Sequence, residues 1–175
     1  GTYGVDIFDA NQCSTNVQMT LVDPNAIQIN YSVSDYNGNN ISCYGFSDGT
    51  FTANITGGTI NSLGFQLIQW TDNAGNLISP NNIINDITII NVPAGTYNVT
   101  VTDFNGCSVT SSITLTEPDQ LVNSFTTNSV TCNGGSDGAA FSNVSGGTAP
   151  YQYSWLGSLS DSSSAHNLMA NTIYT

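Results

Sequence analysis

The sequence predicts an all-β chain built of tandem antiparallel β-sandwich modules, each about 90 residues long. Three observations carry this prediction. The 175 residues contain no Lys, no Arg and a single Glu, and draw their polarity from Asn, Thr, Ser, Gln and Gly, a mixture poor in helix formers and rich in strand and turn formers. Apolar residues alternate with period two in several segments, and no ten-residue segment keeps a helical period. Two blocks of sequence also recur at a spacing close to the size of one immunoglobulin-like sandwich.

The recurrences set the organisation. Residues 1–24 align without a gap onto residues 95–118, with 11 identities at an offset of 94. Gly1-Thr2-Tyr3, Val5, Asp9, Asn11, Cys13-Ser14, Thr20-Leu21 and Pro24 return as Gly95-Thr96-Tyr97, Val99, Asp103, Asn105, Cys107-Ser108, Thr114-Leu115 and Pro118. At an offset of 89, Cys43, Gly45, Ser47-Asp48-Gly49, Asn54 and Gly57-Gly58-Thr59 return as Cys132, Gly134, Ser136-Asp137-Gly138, Asn143 and Gly146-Gly147-Thr148. The expected organisation is the C-terminal strands of one repeat (1–24), a complete repeat (25–118) and the N-terminal part of a third (119–175). The chain then reads as a window from a longer array. Residues 1–5 have neither the basic nor the apolar run of a signal peptide.

Strands follow from alternation. Tyr97, Val99 and Val101 face one way within 96–103, and Val109, Ser111, Ile113 and Leu115 share a face within 108–116. Between them, Asp103-Phe104-Asn105-Gly106 is a hairpin turn. Phe51, Ala53 and Ile55 alternate in an earlier strand that stops at Gly57-Gly58. Ile68 and Trp70 point inward in 64–70, where Phe65 and Leu67 demand a bulge or two-sided burial. Asn73-Ala74-Gly75-Asn76 is a turn, 86–92 a further strand, and Tyr151, Tyr153 and Trp155 alternate in the third repeat.

Charge excludes whole classes of function. Eleven Asp and one Glu give a formal charge of −12 with no basic side chain to oppose it. Phosphate backbones need cations, so no nucleic-acid partner is expected. Contact with anionic lipid, a Walker lysine, a Schiff-base lysine and an arginine clamp are all ruled out. No apolar run reaches 18 residues, so no direct membrane insertion by a helix is expected. A hydrophobic fraction of 39% and an aromatic fraction of 10% suffice for a packed core. His166, the single histidine, has no matching His in the complete repeat, and catalysis is not expected of it.

The order of motifs resembles a known family. A Cys-x-Gly-x-x-Asp-Gly block (Cys43 to Gly49, Cys132 to Gly138) precedes a Gly-Gly-Thr, followed in the third repeat by Pro150-Tyr151 and Trp155. Pro93-Ala94-Gly95-Thr96-Tyr97, Val99 to Cys107 and Thr116-Glu117-Pro118 complete the pattern. This is similar to the SprB-type repeat of giant gliding-motility adhesins and other large surface proteins of Bacteroidetes. The complete repeat lacks the Pro-Tyr pair, and the third has Asn171 where Gly is usual. The resemblance implies immunoglobulin- or PKD-like sandwiches in a secreted protein on the cell surface, exported by the type IX system. It implies a structural or adhesive role and no enzyme. Adjacent repeats of the same chain are the implied partners, with a surface polysaccharide or substratum beyond them. A glycan-binding sandwich and a subunit of a donor-strand filament are the alternatives.

The remaining candidates are site residues. Two cysteines per repeat in a secreted chain argue for disulfides. Cys43–Cys107 is the simplest bridge, with the partners of Cys13 and Cys132 outside the segment. A bridge between stacked repeats, or reduced thiols, remain open. Asp48, Asp103, Asn105 and Asp137 offer the hard oxygens that Ca²⁺ takes, although Asp and Asn also stabilise turns through their own backbone. Tyr3 and Tyr97 sit where a tyrosine corner would lie, and Trp70 and Trp155 read as core tryptophans.

Overall fold

The computed structural model describes residues 1–62, 65, 67–78, 87–155, 162–170 and 172. Eleven strands and no helix occur among them: β1 (Thr2–Phe8), β2 (Ser14–Thr20), β3 (Gln28–Val33), β4 (Gly49–Thr56), β5 (Leu67–Asp72), β6 (Thr88–Val92), β7 (Gly95–Thr102), β8 (Ser108–Leu115), β9 (Val122–Asn128), β10 (Gly138–Ser145) and β11 (Ser164–Leu168). The chain is all-β, as its composition and alternation predict. No helix among the described residues is long and apolar enough to cross a membrane.

The strands form four sheets. β1 and β2 make an antiparallel pair; the others have the orders β3-β4-β6, β5-β7-β8 and β11-β10-β9. The last of these repeats the first. β4 pairs with β6 antiparallel, with a register shift after Gly49, and β10 pairs with β11 antiparallel, with a register shift after Gly138. The shift leaves Asn91 and Asn167 with φ of 58° each. Asn tolerates this left-handed conformation better than most residues. One extra residue thus bulges each strand at the same place, a feature that period-two reading of the sequence does not reveal.

Contact clustering divides the chain into two units. The first comprises Gly1–Asn30, Ala53–Ile87 and Asn98–Ser112; the second comprises Tyr31–Thr52, Thr88–Tyr97 and Ile113–Thr175. In the first, Ile27, Ala53, Ile68, Trp70, Val99 and Val101 are buried. Ile68 and Trp70 therefore point inward, with Leu67 half-buried on β5 and Phe65, half-buried just ahead of the strand, close to Gly58. In the second unit, Ile41, Phe51, Ile89, Val92, Tyr97, Leu115, Ala139, Ala140 and Ala165 are buried. There the ring of Phe51 on β4 lies 5.0 Å from that of Tyr97 on β7, an aromatic pair within this unit's core.

One expected strand is missing and two expectations fall partly beyond the described residues. Residues 151–155 alternate between half-buried and exposed, as Tyr151, Tyr153 and Trp155 require, yet form no strand. No strand among the described residues pairs with them, and an unpaired segment has no ladder to hold it extended. Asp86, the expected first residue of the strand now seen as β6, lies outside the described residues, as does Asn171.

Close packing explains the Gly-Gly-Thr blocks. A Cβ on Gly57, whose φ is +75°, would lie 2.0 Å from the Ala26 carbonyl oxygen, and one on Gly146 would lie 2.0 Å from that of Gln120. Gly57→Ala is expected to lower stability by roughly 3 kcal/mol or more, since both backbone strain and overlap oppose it. Gly38→Ala has the strain alone, because nothing lies within 4 Å of its Cβ position, and is expected to cost roughly 1–2 kcal/mol. Urea denaturation midpoints of the two variants check the contrast.

Candidate functional site

The recurring residues form two hydrogen-bonded constellations. In the first, an Asp leads a hairpin turn. Asp103 Oδ1 accepts the N–H groups of Asn105 and Cys107, each at 2.9 Å. Asp9 Oδ1 does the same with Asn11 and Cys13, at 2.8 and 2.9 Å. Asp72 repeats the pattern with Ala74 and Asn76. The hairpins β1–β2 and β7–β8 match further up as well. Thr2 and Thr20 share a hydroxyl hydrogen bond at 3.1 Å, and Thr96 and Thr114 one at 2.9 Å.

The Asp103 turn is also tied to the Gly-Gly-Thr block. The Thr59 N–H donates to Asp103 Oδ2 at 3.0 Å, the Phe104 N–H donates to the Thr59 carbonyl at 2.8 Å, and Asn105 Nδ2 donates to Thr59 Oγ1 at 3.0 Å. This lock explains why the two motifs occur in the same repeat although 44 residues separate Thr59 from Asp103.

The second constellation lies in the Cys-x-Gly-x-x-Asp-Gly block. Asp48 accepts both the N–H and the hydroxyl of Ser42, and Asp137 both the N–H and the hydroxyl of Thr131. The hydroxyl residue just before each Cys is part of the motif, and the sequence reading missed it. Its signal was a Ser or Thr six residues before the Asp. In the complete repeat the Gly45 N–H donates to Glu117 Oε2 at 2.6 Å, and Asn40 Oδ1 accepts the Thr116 N–H at 2.9 Å. These bonds tie the block to the Thr116-Glu117-Pro118 end of its repeat.

Hydrogen-bond donation lowers the carboxyl pKa of these groups. Asp103 lies below its ordinary 3.8 chiefly through the Thr59 N–H; Asp48, Asp137 and Asp72 do so chiefly through the side chains of Ser42, Thr131 and Asn76. In a chain without Lys or Arg, neutral donors are what hold carboxylates in the folded state.

Each site residue expected from the sequence has a definite place. Asp48, Asp103, Asn105 and Asp137 sit in these turns, the oxygens of the three Asp taken by N–H and O–H donors and Asn105 donating through Nδ2 to Thr59. Among the described residues no group of three or more His, Cys, Asp or Glu is placed to hold a metal ion. Cys13, Cys43, Cys107 and Cys132 are exposed free thiols, so the Cys43–Cys107 bridge is not formed in this structure. Buried Tyr97 donates its hydroxyl to the Pro93 carbonyl at 2.7 Å, the geometry of a tyrosine corner at the start of β7. Trp70 is fully buried, whereas Trp155 is half-buried, donating through Nε1 to the Ser162 carbonyl at 2.9 Å. Tyr3 is exposed. His166 on β11 lies edge-on to Phe141, with ring centroids 5.7 Å apart.

A cavity of about 560 Å³ opens in the third repeat, lined among others by Leu121, Phe125, Val144, Tyr151, Tyr153 and Trp155. Phe125 meets Trp155 edge-on at 5.7 Å between centroids.

The family model of the SprB repeat matches residues 124–159, which run from β9 through β10 to Trp155 and beyond. That stretch is similar to the SprB repeat, a structural repeat typical of cell-surface or secreted proteins. No curated protein matches the chain, and no solved structure does.

The depressed Asp103 pKa gives a signed expectation. A carboxylate whose pKa is lower in the folded state adds stability above its unfolded value, near 3.8, and loses it as pH falls through the folded value. Asp103→Asn is therefore expected to be less stable than the parent at pH 6, with the gap narrowing steadily below pH 3.8. Thermal melts of both proteins between pH 2 and 7 measure that gap.

Proposed function

We propose that the chain is part of the stalk of a large cell-surface adhesin of the gliding-motility kind, in which tandem modules hold a binding element away from the cell. Residues 25–118 make one immunoglobulin-type sandwich, 1–24 the closing hairpin of the module before it, and 119–175 the opening part of the module after it. The sheet orders β3-β4-β6 and β5-β7-β8 support this reading, because they correspond to strands A-B-E and C-F-G of an immunoglobulin sandwich. A buried tryptophan on the third strand (β5) and a tyrosine corner on the fifth (β7) fit the same plan.

The observation that carries the stalk reading is the use to which the recurring residues are put. Asp48, Asp103, Asp137, Gly57 and Tyr97 all serve turns, close approaches and strand starts within their own module. Repeats whose recurring Asp, Gly and Tyr residues serve geometry suit a load-bearing chain. The type IX export that the family resemblance implies supports a position outside the cell.

The test is a glycan array probed with the 175-residue chain, paired with antibodies against it applied to intact, unpermeabilised producing cells. A stalk segment gives surface labelling and no selective glycan binding. Selective capture of one glycan class would favour a lectin, and labelling only after permeabilisation would overturn the surface assignment.

A further inference from the structure

The complete repeat and the next one meet at Pro118, and the chain on either side of that residue is fastened. On the near side, Thr116 is gripped through its own backbone. Its carbonyl accepts the Asn40 and Ile41 N–H groups at 2.9 and 3.0 Å, and its N–H donates to Asn40 Oδ1 at 2.9 Å. Asn40 is itself held in place. Its Nδ2 donates to the Ser34 carbonyl at 2.9 Å, and Ser34 Oγ donates to the Asn40 carbonyl at 2.7 Å. Glu117 comes next and accepts the Gly45 N–H at Oε2. All of these partners belong to the complete repeat.

On the far side, the Asp119 carbonyl accepts the Gly147 N–H at 2.7 Å. The same bond opens the complete repeat, where the Gly58 N–H donates to the Asn25 carbonyl at 2.7 Å. A Cβ on Gly146 would overlap the Gln120 carbonyl, so residues 119 and 120 lie pressed against the Gly146-Gly147 turn. Glu117 is thus bound to one repeat and Asp119 to the next, which leaves Pro118 alone between them. Pro118 is buried. Its ring fixes its own φ and narrows the conformations open to Glu117. The residues around it come from both repeats: Cys43 and Tyr44 on one side and Gly147 and Tyr151 on the other line, with Pro118, one cavity of about 510 Å³. Tyr31–Thr52 and Ile113–Thr175 belong to a single compact unit, so the junction lies inside a packed body. A flexible linker between domains is exposed, and few contacts cross it; this one has neither property.

We propose that Pro118 and the bonds on either side of it form a stiff joint, which holds the 40–46 loop of the complete repeat and the Gly146-Gly147 turn of the next in one mutual arrangement. Asn40 and Glu117 are its positioning residues on the near side, and the Asp119–Gly147 bond fastens the far side. In a tandem chain, joints of this kind pass direction from module to module. The reach of such a stalk grows in proportion to the number of modules, whereas freely jointed modules reach only as the square root of that number. The proposal rests on the modular reading of the repeats but not on where the protein acts.

Pulsed electron spin resonance distances between two spin labels on the full 175-residue chain test it. One label sits at Ile90→Cys, an exposed position on β6, and the other on the exposed Cys132 of the next repeat. Cys13→Ser, Cys43→Ser and Cys107→Ser remove the other thiols. Circular dichroism and the emission of buried Trp70 show that each variant keeps its fold. The parent is expected to give one narrow distance distribution. Five Gly and Ser residues inserted after Pro118 span roughly 12 Å by themselves and are expected to broaden it by about that much. Asn40→Ala combined with Glu117→Ala, which frees Thr116 and Gly45, is expected to broaden it towards the insertion variant. Glu117→Gln keeps an oxygen for the Gly45 N–H and is expected to stay as narrow as the parent. A parent as broad as the insertion variant, or a folded Asn40→Ala/Glu117→Ala variant as narrow as the parent, overturns the proposal and leaves the stalk reading standing. Loss of surface labelling would strike the stalk reading alone.

Discussion

The structure depends on covering one apolar hairpin face. A β-ribbon carrying Tyr, Val and Val on every second residue cannot bury them against itself, because alternate side chains point to opposite sides of the same two strands. In the complete repeat Tyr97, Val99 and Val101 are all buried, and the rest of the repeat is arranged for that burial. Gly57 and Gly58 let the chain pass close to residues 25–27, Trp70 fills the volume beside β7, and the Asp103 turn is fastened to Thr59. Where the same face is uncovered, at Tyr3, Val5 and Ile7, the hairpin has its turn and register but no core.

The absence of basic residues shapes how that arrangement is fastened. Cationic side chains usually hold carboxylates at loop ends. Here Asp9, Asp72 and Asp103 take backbone N–H groups two and four residues on, and Asp48 and Asp137 take a Ser or Thr hydroxyl with its own N–H. Such bonds are local and short-ranged, so they survive salt that would screen exposed ion pairs. They also consume the carboxylate oxygens that the sequence offers as calcium ligands. In an acidic chain a turn-forming Asp and a cation-binding Asp carry the same residue pattern and differ only in what fills the oxygens.

Much of the fold was legible because strand alternation and repeat offset are both one-dimensional signals. β4, β7 and β8 lie where Phe51-Ala53-Ile55, Tyr97-Val99-Val101 and Val109 to Leu115 place them. Less legible were features decided by a neighbour. Residues 151–155 alternate as well as any strand in the chain, yet a strand needs a hydrogen-bonded partner, which alternation cannot report. The bulges at Asn91 and Asn167 hide in short strands whose side chains differ between repeats, Ile89-Ile90 against Ala165-His166. The Thr59–Asn105 lock was visible as two recurring motifs, but their bond required the sheets to bring together residues 46 apart. An even count of cysteines suggests bridges but names no pairing, and all four are exposed thiols here.

The central claim is that the hairpins β1–β2 and β7–β8 share one kind of turn, and that burial of its apolar face is what stabilises the second. Amide hydrogen exchange followed residue by residue tests it most directly. Val99 and Val101 should exchange only through global unfolding at every protein concentration. Val5 and Ile7, whose side chains are exposed, should exchange far faster. Equal exchange at Val5 and Val99 would contradict the account.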